Sequence, residues 1–328
     1  MKGFLLRRIL LLIPTLFIIT VISFMIIQLP PGDFFSGYVG RLSARGEYIE
    51  PETVEALREQ YGLDQPMIVQ YFKWMGNILR GDFGRSIQWN KPVIELLAAR
   101  LPWTLMISFG ALIFVYILSV PIGILSAVRQ YSIMDYIFTL IGFIGLAVPN
   151  FLFALMLLWG YYKITGNVAV GLFSPEYALA PWSFARAIDL IKHLWMPIII
   201  AGTGGAAALI RVMRANLLDE LQKPYVVVAR SKGLSERKLL FKYPFRVAFN
   251  PVISTIGWTL PFLVGGELVV SLVLGIPTIA PLFLKAVMTE DMLLASAVVL
   301  ILSVFTVIGT LLSDLLLAWL DPRIREAV

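Results

Sequence analysis

The 328-residue chain contains no cysteine. Disulfides are therefore excluded, as is any metal site built on thiolates. Histidine occurs once, at His193, which leaves no imidazole cluster to hold a metal. Charge is scarce: 15% of the residues are Asp, Glu, Lys or Arg, against about 25% in ordinary soluble domains. No GxxxxGK[ST] phosphate loop occurs anywhere in the sequence, so ATP chemistry cannot reside here. A GxSxG elbow and paired intramembrane aspartates are missing too, which leaves a membrane-embedded hydrolase little to work with. In place of these stands apolar sequence, 59% of the chain, with a mean hydropathy of +0.83. Such a chain is built for lipid, and no further soluble domain of normal size fits around the apolar runs.

A helix crossing about 30 Å of hydrocarbon needs roughly 20 mostly apolar residues. Six stretches meet or approach that length: Ile9–Leu29, Leu101–Val128, Tyr136–Tyr162, Leu194–Ile210, Val247–Leu274 and Met292–Leu320. The fourth is short, and Arg211 and Arg214 are expected to snorkel from its end. No small-residue cleavage site follows the first run, which reads as a retained span. The sequence thus predicts an all-α polytopic membrane protein with six transmembrane helices. Its parts are a tail and first span (1–29), a long loop (30–100), a core of five spans (101–320) holding a basic loop (216–246), and a tail (321–328).

Orientation follows from the basic residues. With the N-terminus inside, segments 1–8, 129–135, 211–246 and 321–328 carry 15 Lys/Arg, while the short outside loops 163–193 and 275–291 carry four. Both termini are then cytoplasmic. Topology accounts for the net charge of +6 and removes the reason to invoke nucleic acid. A cysteine placed at Ser231 should label from the cytoplasm and one at Ser86 from outside.

The loop 30–100 is patterned. Pro51 suits a first helical position, and ETVEALREQYG runs to a terminating Gly62. PMIVQYFKWMGNILRG then places Ile68, Tyr71, Phe72, Met75, Ile78 and Leu79 at helical spacing, and GDFGRS closes it as a turn. Together they predict a helical cap on the outer face, with Trp74 and Trp89 in its own core.

One basic, glycine-punctuated stretch, PYVVVARSKGLSERKLLFKYPF, interrupts the membrane pattern at 224–245. Pro224 at a first helical position and Gly233 just past the end frame a helix over Pro224–Lys232. Tyr225, Val228 and Ala229 share a face at i, i+3 and i+4, with Arg230 and Lys232 elsewhere. Gly233 can adopt positive φ, Ser235 stands where an N-cap belongs, and a second helix extends to Pro244. A helix this short is marginal in water and needs a surface to hold it. Two readings are open: a loop whose lysines only enforce topology, or a docking helix seated in a soluble partner.

VVVARSKGLSERKLL resembles the cytoplasmic loop of permease subunits of ATP-binding-cassette importers, whose general pattern is Glu-Ala-Ala, three residues, then Gly. Val227, Val228 and Ala229 occupy the triplet and Gly233 the glycine, so the glutamate and first alanine are absent. Ala229-Arg230-Ser231-Lys232-Gly233-Leu234-Ser235 is similar to the form found in the dipeptide/oligopeptide branch. PETVEALREQYGLDQPMIVQYFKWMGNILRGDFGRS is similar to the external insertion of one of that branch's two permeases, and KPVIELLAARLPWTL and LLAWLDPRIR are typical of it.

The resemblance implies a type I importer permease fold in a bacterial or archaeal plasma (inner) membrane, with the insertion between helices 1 and 2. It implies a sibling permease, two ATPase subunits that hold the ATP and Mg, and an extracytoplasmic substrate-binding protein. No cofactor is implied in this chain. The helix would dock in an ATPase cleft, with Tyr225, Val228, Ala229 and Leu234 as apolar contacts, Arg230 and Lys232 as charge, and Gly233 as the turn. Substrates of related systems include dipeptides, longer peptides, nickel complexes, glutathione and oligosaccharides.

An ionisable residue within a span is a functional hypothesis by default. Glu267 in GGELVVS and Asp314 in LLSDLLL are the two here, and with Pro261 and Gly265 they form the candidate gate or pathway set. The bland alternatives place Glu267 near an outer end or subunit interface and Asp314 near the cytoplasmic boundary. Gly202, Gly204 and Gly205 permit close helix approach, Pro102, Pro121, Pro149, Pro197 and Pro261, near or inside spans, permit kinks, and His193 beside Trp195 reads as an interfacial anchor. A stand-alone ion- or proton-coupled secondary transporter remains the alternative, although no convincing internal repeat supports it.

Overall fold

The computed structural model describes residues 2–28, 55, 59, 65–86, 88–257, 259 and 268–320. Among them the chain is helical, and its one β-bridge, Arg85–Pro92, is isolated. Twelve helices follow in order: α1 Lys2–Ile27, α2 Met67–Leu79, α3 Val93–Val128, α4 Ile133–Ala147, α5 Asn150–Thr165, α6 Phe184–Leu221, α7 Pro224–Ser231, α8 Glu236–Lys242, α9 Pro244–Ser254, α10 Leu268–Val273, α11 Ile279–Met288 and α12 Met292–Leu320. Among the described residues, four stretches are long and apolar enough to cross a membrane: Arg7–Ile27, Val93–Val128, Phe184–Leu221 and Met292–Trp319.

The expected span Tyr136–Tyr162 is two helices, α4 and α5, bent by 107°. The cause is local. Val148, next to Pro149, is extended (φ −81°, ψ 119°), as a residue before proline is driven to be. Counted as one span, the pair makes five. The expected span Val247–Leu274 is described only as α9, residues 255–257 and 259, and α10. The helix expected over 51–62, apart from residues 55 and 59, and the tail 321–328 lie outside the described residues, as do 29–54.

The chain divides into two compact units. One comprises residues 1–8, 103–277 and 308–328. Its apolar interior has an α3–α5–α6–α10 cluster, including Ile107, Ala154, Met196, Ile200 and Val270, and an α3–α6–α9 cluster, including Val115, Leu209, Met213, Leu217 and Val252. Helix α6 runs through both, well beyond the expected Leu194–Ile210, because Ser183 caps its start by accepting the Arg186 N–H. Gly202 lets α3 approach α6: a Cβ there would stand 2.6 Å from Phe114 Cδ1. Gly205 faces Val115 similarly, whereas Gly204 has no atom within 4 Å.

Helix α9 stops at Ser254, and its terminal carbonyls take side-chain hydroxyls. Tyr116 donates to Val252 O (3.1 Å), Thr255 donates to Val252 O (2.7 Å), and Ser313 donates to Ile253 O (3.2 Å). Such partners are needed where a helix breaks away from water, because unsatisfied carbonyls are costly there.

The other unit comprises residues 9–102 and 278–307. Val93, Leu97, Ile279, Leu282, Leu294 and Val298 form its interior. Asp291, fully buried, accepts from Ser86 Oγ (2.5 Å), the Gln88 N–H (3.1 Å) and the Leu294 N–H (3.4 Å), so it caps α12 and fastens the turn after α2. Trp74 packs on Phe24 of α1 rather than within a separate cap (centroids 5.7 Å), and Lys285 lies over the Trp89 ring at 5.3 Å. Tyr71 of α2 bonds Thr20 of α1 at 2.7 Å.

Candidate functional site

The stretch 224–245 folds as two short helices around a glycine. Lys223 is the N-cap and Pro224 the first helical residue of α7. The helix ends at Ser231, with Lys232 as C-cap, its N–H bonded to Val228 O at 3.1 Å. Gly233 follows at φ +79° with no atom within 4 Å of a notional Cβ, so backbone conformation and not space requires glycine there. Ser235 stands at the N-cap of α8, where it acts through its carbonyl, accepting the Leu239 N–H at 2.9 Å; its side chain makes no capping bond.

Burial divides the two helices into an inner and an outer face. Val226 and Leu239 are fully buried and Ala229 is buried beside them, with Leu234 and Tyr243 packed against the three. This small core solves the problem of an eight-residue helix that water alone would not support. On the outer face Tyr225, Val227, Val228 and, from α8, Phe241 are exposed, at 39%, 52%, 53% and 53%. Exposed apolar side chains this close together mark an interaction surface. Lys232, Arg237, Lys238 and Lys242 are not buried and surround them with positive charge.

Two polar contacts fix the pair in place. Arg230 grips Glu236 with both edges, Nε to Oε1 at 2.7 Å and a terminal nitrogen to Oε2 at 3.2 Å, across the Gly233 turn. The guanidinium holds the Glu236 carboxyl below its ordinary range. The Tyr225 hydroxyl donates to Glu220 Oε2 at 2.5 Å, tying α7 to the end of α6. Burial, and then the Glu220 carboxylate, push the Tyr225 phenol well above its usual value, so it remains a neutral donor.

The sequence-predicted residues thus fall into three groups. Tyr225, Val228, Arg230 and Lys232 lie on the outside of the hairpin; Ala229 and Leu234 pack in it, and Gly233 makes its turn. Asp314 lies on α12 with Oδ2 3.3 Å from Arg8 Nε, a pairing that suits a structural role. Glu267, Pro261 and Gly265 lie outside the described residues.

The sequence reading missed three buried carboxylates. Besides Asp291, Asp189 accepts from the Ser174 N–H (2.8 Å) and hydroxyl (2.7 Å), and His193 Nδ1 lies 2.8 Å from the Asp189 carbonyl oxygen, so the histidine joins this cluster. Asp135, 2% exposed, receives a fork from Arg214, Nε to Oδ1 and a terminal nitrogen to Oδ2, both 2.8 Å. Arg214 is thus paired with a carboxylate just outside the expected span Tyr136–Tyr162. The only sequence signal was an acidic residue three positions after Ser132, in the first turn of α4. None of these groups forms a nucleophile–base pair; the geometry offers an exposed apolar face on a short helix that follows directly on α6.

Comparison with known proteins agrees. Residues 119–326 match the family described as binding-protein-dependent transport system inner membrane component. Residues 1–108 match the N-terminal family of the same membrane components. The oligopeptide transport system permease protein AppB of Bacillus subtilis is 38% identical over 330 residues, covering 99% of this chain and 100% of its own. The dipeptide transport system permease protein DppB of Alkalihalophilus pseudofirmus is 30% identical over 338 residues, covering 99% and 100%. The glutathione transport system permease protein GsiC of Escherichia coli is 31% identical over 325 residues, covering 99% of each. Matched from end to end in this way, the chain belongs to the binding-protein-dependent transport system inner membrane components, as a non-catalytic permease subunit of an ATP-binding-cassette importer and not a carrier that works alone.

Proposed function

We propose that this chain forms half of a translocation pathway for di- or oligopeptides, with α7 as the element through which ATP hydrolysis in partner subunits drives it. The observation that carries the coupling role is the outer face of α7: Tyr225, Val227 and Val228 stand exposed on a helix that its own small core already holds. An apolar face left over after a helix has been stabilised internally favours a partner over a topology-only loop. Val227 joins the contact set on this reading, while Ala229 and Leu234 shape the hairpin.

The assembled importer comprises this chain, a sibling permease, two ATPase subunits and an extracytoplasmic binding protein. Both termini and α7 lie in the cytoplasm of a bacterium or archaeon, and the insertion 30–100 lies outside. Peptide substrates are favoured by the 38%-identical relative, which is named for oligopeptides, and by others named for dipeptides.

The deciding experiment reconstitutes this chain with its partners in proteoliposomes and measures uptake of a radiolabelled tetrapeptide beside ATP hydrolysis. Val228→Glu should abolish uptake and release the ATPase while the chain remains inserted. Wild-type uptake by that variant, with the ATPase still bound, would sink the coupling role. Uptake of other solutes but no peptide would sink the substrate assignment alone.

A further inference from the structure

The fork between Asp135 and Arg214 joins two helices that the proposed transport cycle must move. Helix α6 is continuous from Phe184 to Leu221, and only Gln222 and Lys223 separate it from α7. Any displacement of α7 is therefore delivered first to the end of α6. Arg214 lies seven residues before that end, about two helical turns. Its guanidinium crosses to Asp135, at the start of α4, with two bonds of 2.8 Å.

The carboxylate is held from other sides as well. Oδ2 also accepts the Tyr131 N–H at 3.0 Å, where Tyr131 itself takes the unusual φ of +62°. The Asp135 N–H donates to Ser132 Oγ at 3.3 Å. The turn between α3 and α4 is thus built around this one side chain, and Asp135 has no room to follow Arg214 without taking α4 along.

Further along, α4 continues antiparallel beside α6. Arg211 lies over the Phe143 ring at 5.8 Å. A Cβ on Gly145 would stand 3.1 Å from Thr203 Cγ2 and 3.7 Å from Ala207 Cβ. Apolar contacts alone let one helix slide along another, whereas a bidentate fork on a buried carboxylate fixes register as well as distance. A buried ion pair is often no more stabilising than apolar residues of similar volume, so register is the property such a pair adds.

We propose that Asp135 and Arg214 are positioning residues of the transport cycle: they bind α4 to α6, so that the movement α7 receives carries α4, and through Pro149 the helix α5, as one body with α6. This rests on the reading of α7 as the coupling helix. Loss of the fork then leaves the ATPase docked and hydrolysing ATP while transport fails to follow.

The cysteine-free chain supplies the test. The cysteine pair G145C/A207C stands at a spacing suited to a disulfide. It is formed with copper phenanthroline in the complete importer, purified through its ATPase subunit, at rest and trapped with ADP and vanadate. The crosslink should form equally in both states. In the Asp135→Asn background it should be lost in the trapped state, and uptake per ATP hydrolysed should fall about tenfold, within the range of ordinary coupling between sites. Arg214→Lys keeps the charge without the fork and gives the same loss in weaker form, should Asp135→Asn fail to assemble.

A crosslink that weakens on trapping in the unmutated background overturns the proposal, because α4 then slides on α6. So does an Asp135→Asn importer whose crosslink and coupling are unchanged and whose only defect is a lower assembled yield. Failure of the α7 reading appears separately, as wild-type coupling in Val228→Glu, whatever the crosslink does.

Discussion

At the scale of single residues, conformation and burial make the sharpest demands. Gly233 sits at φ +79° in open space, so a side chain there meets no atom and only the backbone objects. Gly233→Val places a β-branched residue in a region it avoids, at about 1–3 kcal/mol. The expected outcome is a displaced α7, with uptake lost and membrane insertion unchanged, read by transport beside membrane fractionation. Gly233→Asn, which tolerates that region, should retain most of the uptake. Ser86 makes the opposite kind of demand. It is 1% exposed and donates to a fully buried carboxylate, Asp291. Ser86→Ala removes one donor of a buried charge, at about 1.5–3 kcal/mol, and should lower the thermal midpoint of the purified complex without altering its coupling ratio.

At the scale of elements, the α7–α8 hairpin was the most legible part of the sequence, and the reason is punctuation. Pro224 and Gly233 act within a few residues, so the ends of α7 could be read to within one position. Its facing could not. Periodicity put Tyr225, Val228 and Ala229 together, but α8 lies against Val226 and Ala229, and tertiary packing decides which side of a short helix is inside. The same limit applies to α4–α5: Pro149 was one of five prolines that permitted a kink, and whereas Pro197 lies inside the continuous α6, the chain at Pro149 bends by 107°. Asp135 was illegible because its partner Arg214 lies 79 residues away, and no local pattern pairs the two.

The Arg230–Glu236 fork spans the hairpin turn, and its pH dependence follows from the lowered Glu236 pKa. A carboxyl with a depressed folded value contributes its stability above the unfolded pKa and loses it as pH falls through the folded one. Protection of the 224–242 amides from hydrogen exchange, corrected for intrinsic rates, should therefore hold from neutral pH down to about 5 and decline only below the ordinary glutamate range. Both groups are exposed, so high salt should weaken the effect. Unchanged protection in Glu236→Gln at neutral pH would show that the fork is incidental to the hairpin.

At the scale of the whole molecule, the bent pair α4–α5 decides the topology. A broken span and a re-entrant loop give opposite answers for everything that follows. Contacts along α6 favour a crossing. Asp135, at the start of α4, meets Arg214, while Ser174, nine residues after α5 ends at Thr165, meets Asp189. These two points on α6 are 25 residues apart, about 37 Å at 1.5 Å per residue, which exceeds the roughly 30 Å of hydrocarbon. A chain that runs from beside one to beside the other is expected to traverse the bilayer. On that count α3, the bent pair and α6 make three crossings, and residues 91 and 231 are expected to be labelled from opposite sides. Ser86 is unsuitable as the outer marker because it is buried; Lys91 is exposed and precedes α3. In the cysteine-free chain, Lys91→Cys should react with an impermeant maleimide in intact cells. Ser231→Cys should react only after the membrane is opened, as α7 must if a cytoplasmic ATPase is to reach it. Labelling of both from one side means that α4–α5 returns to the face it entered, and α7 then lies where no cytoplasmic ATPase can reach it.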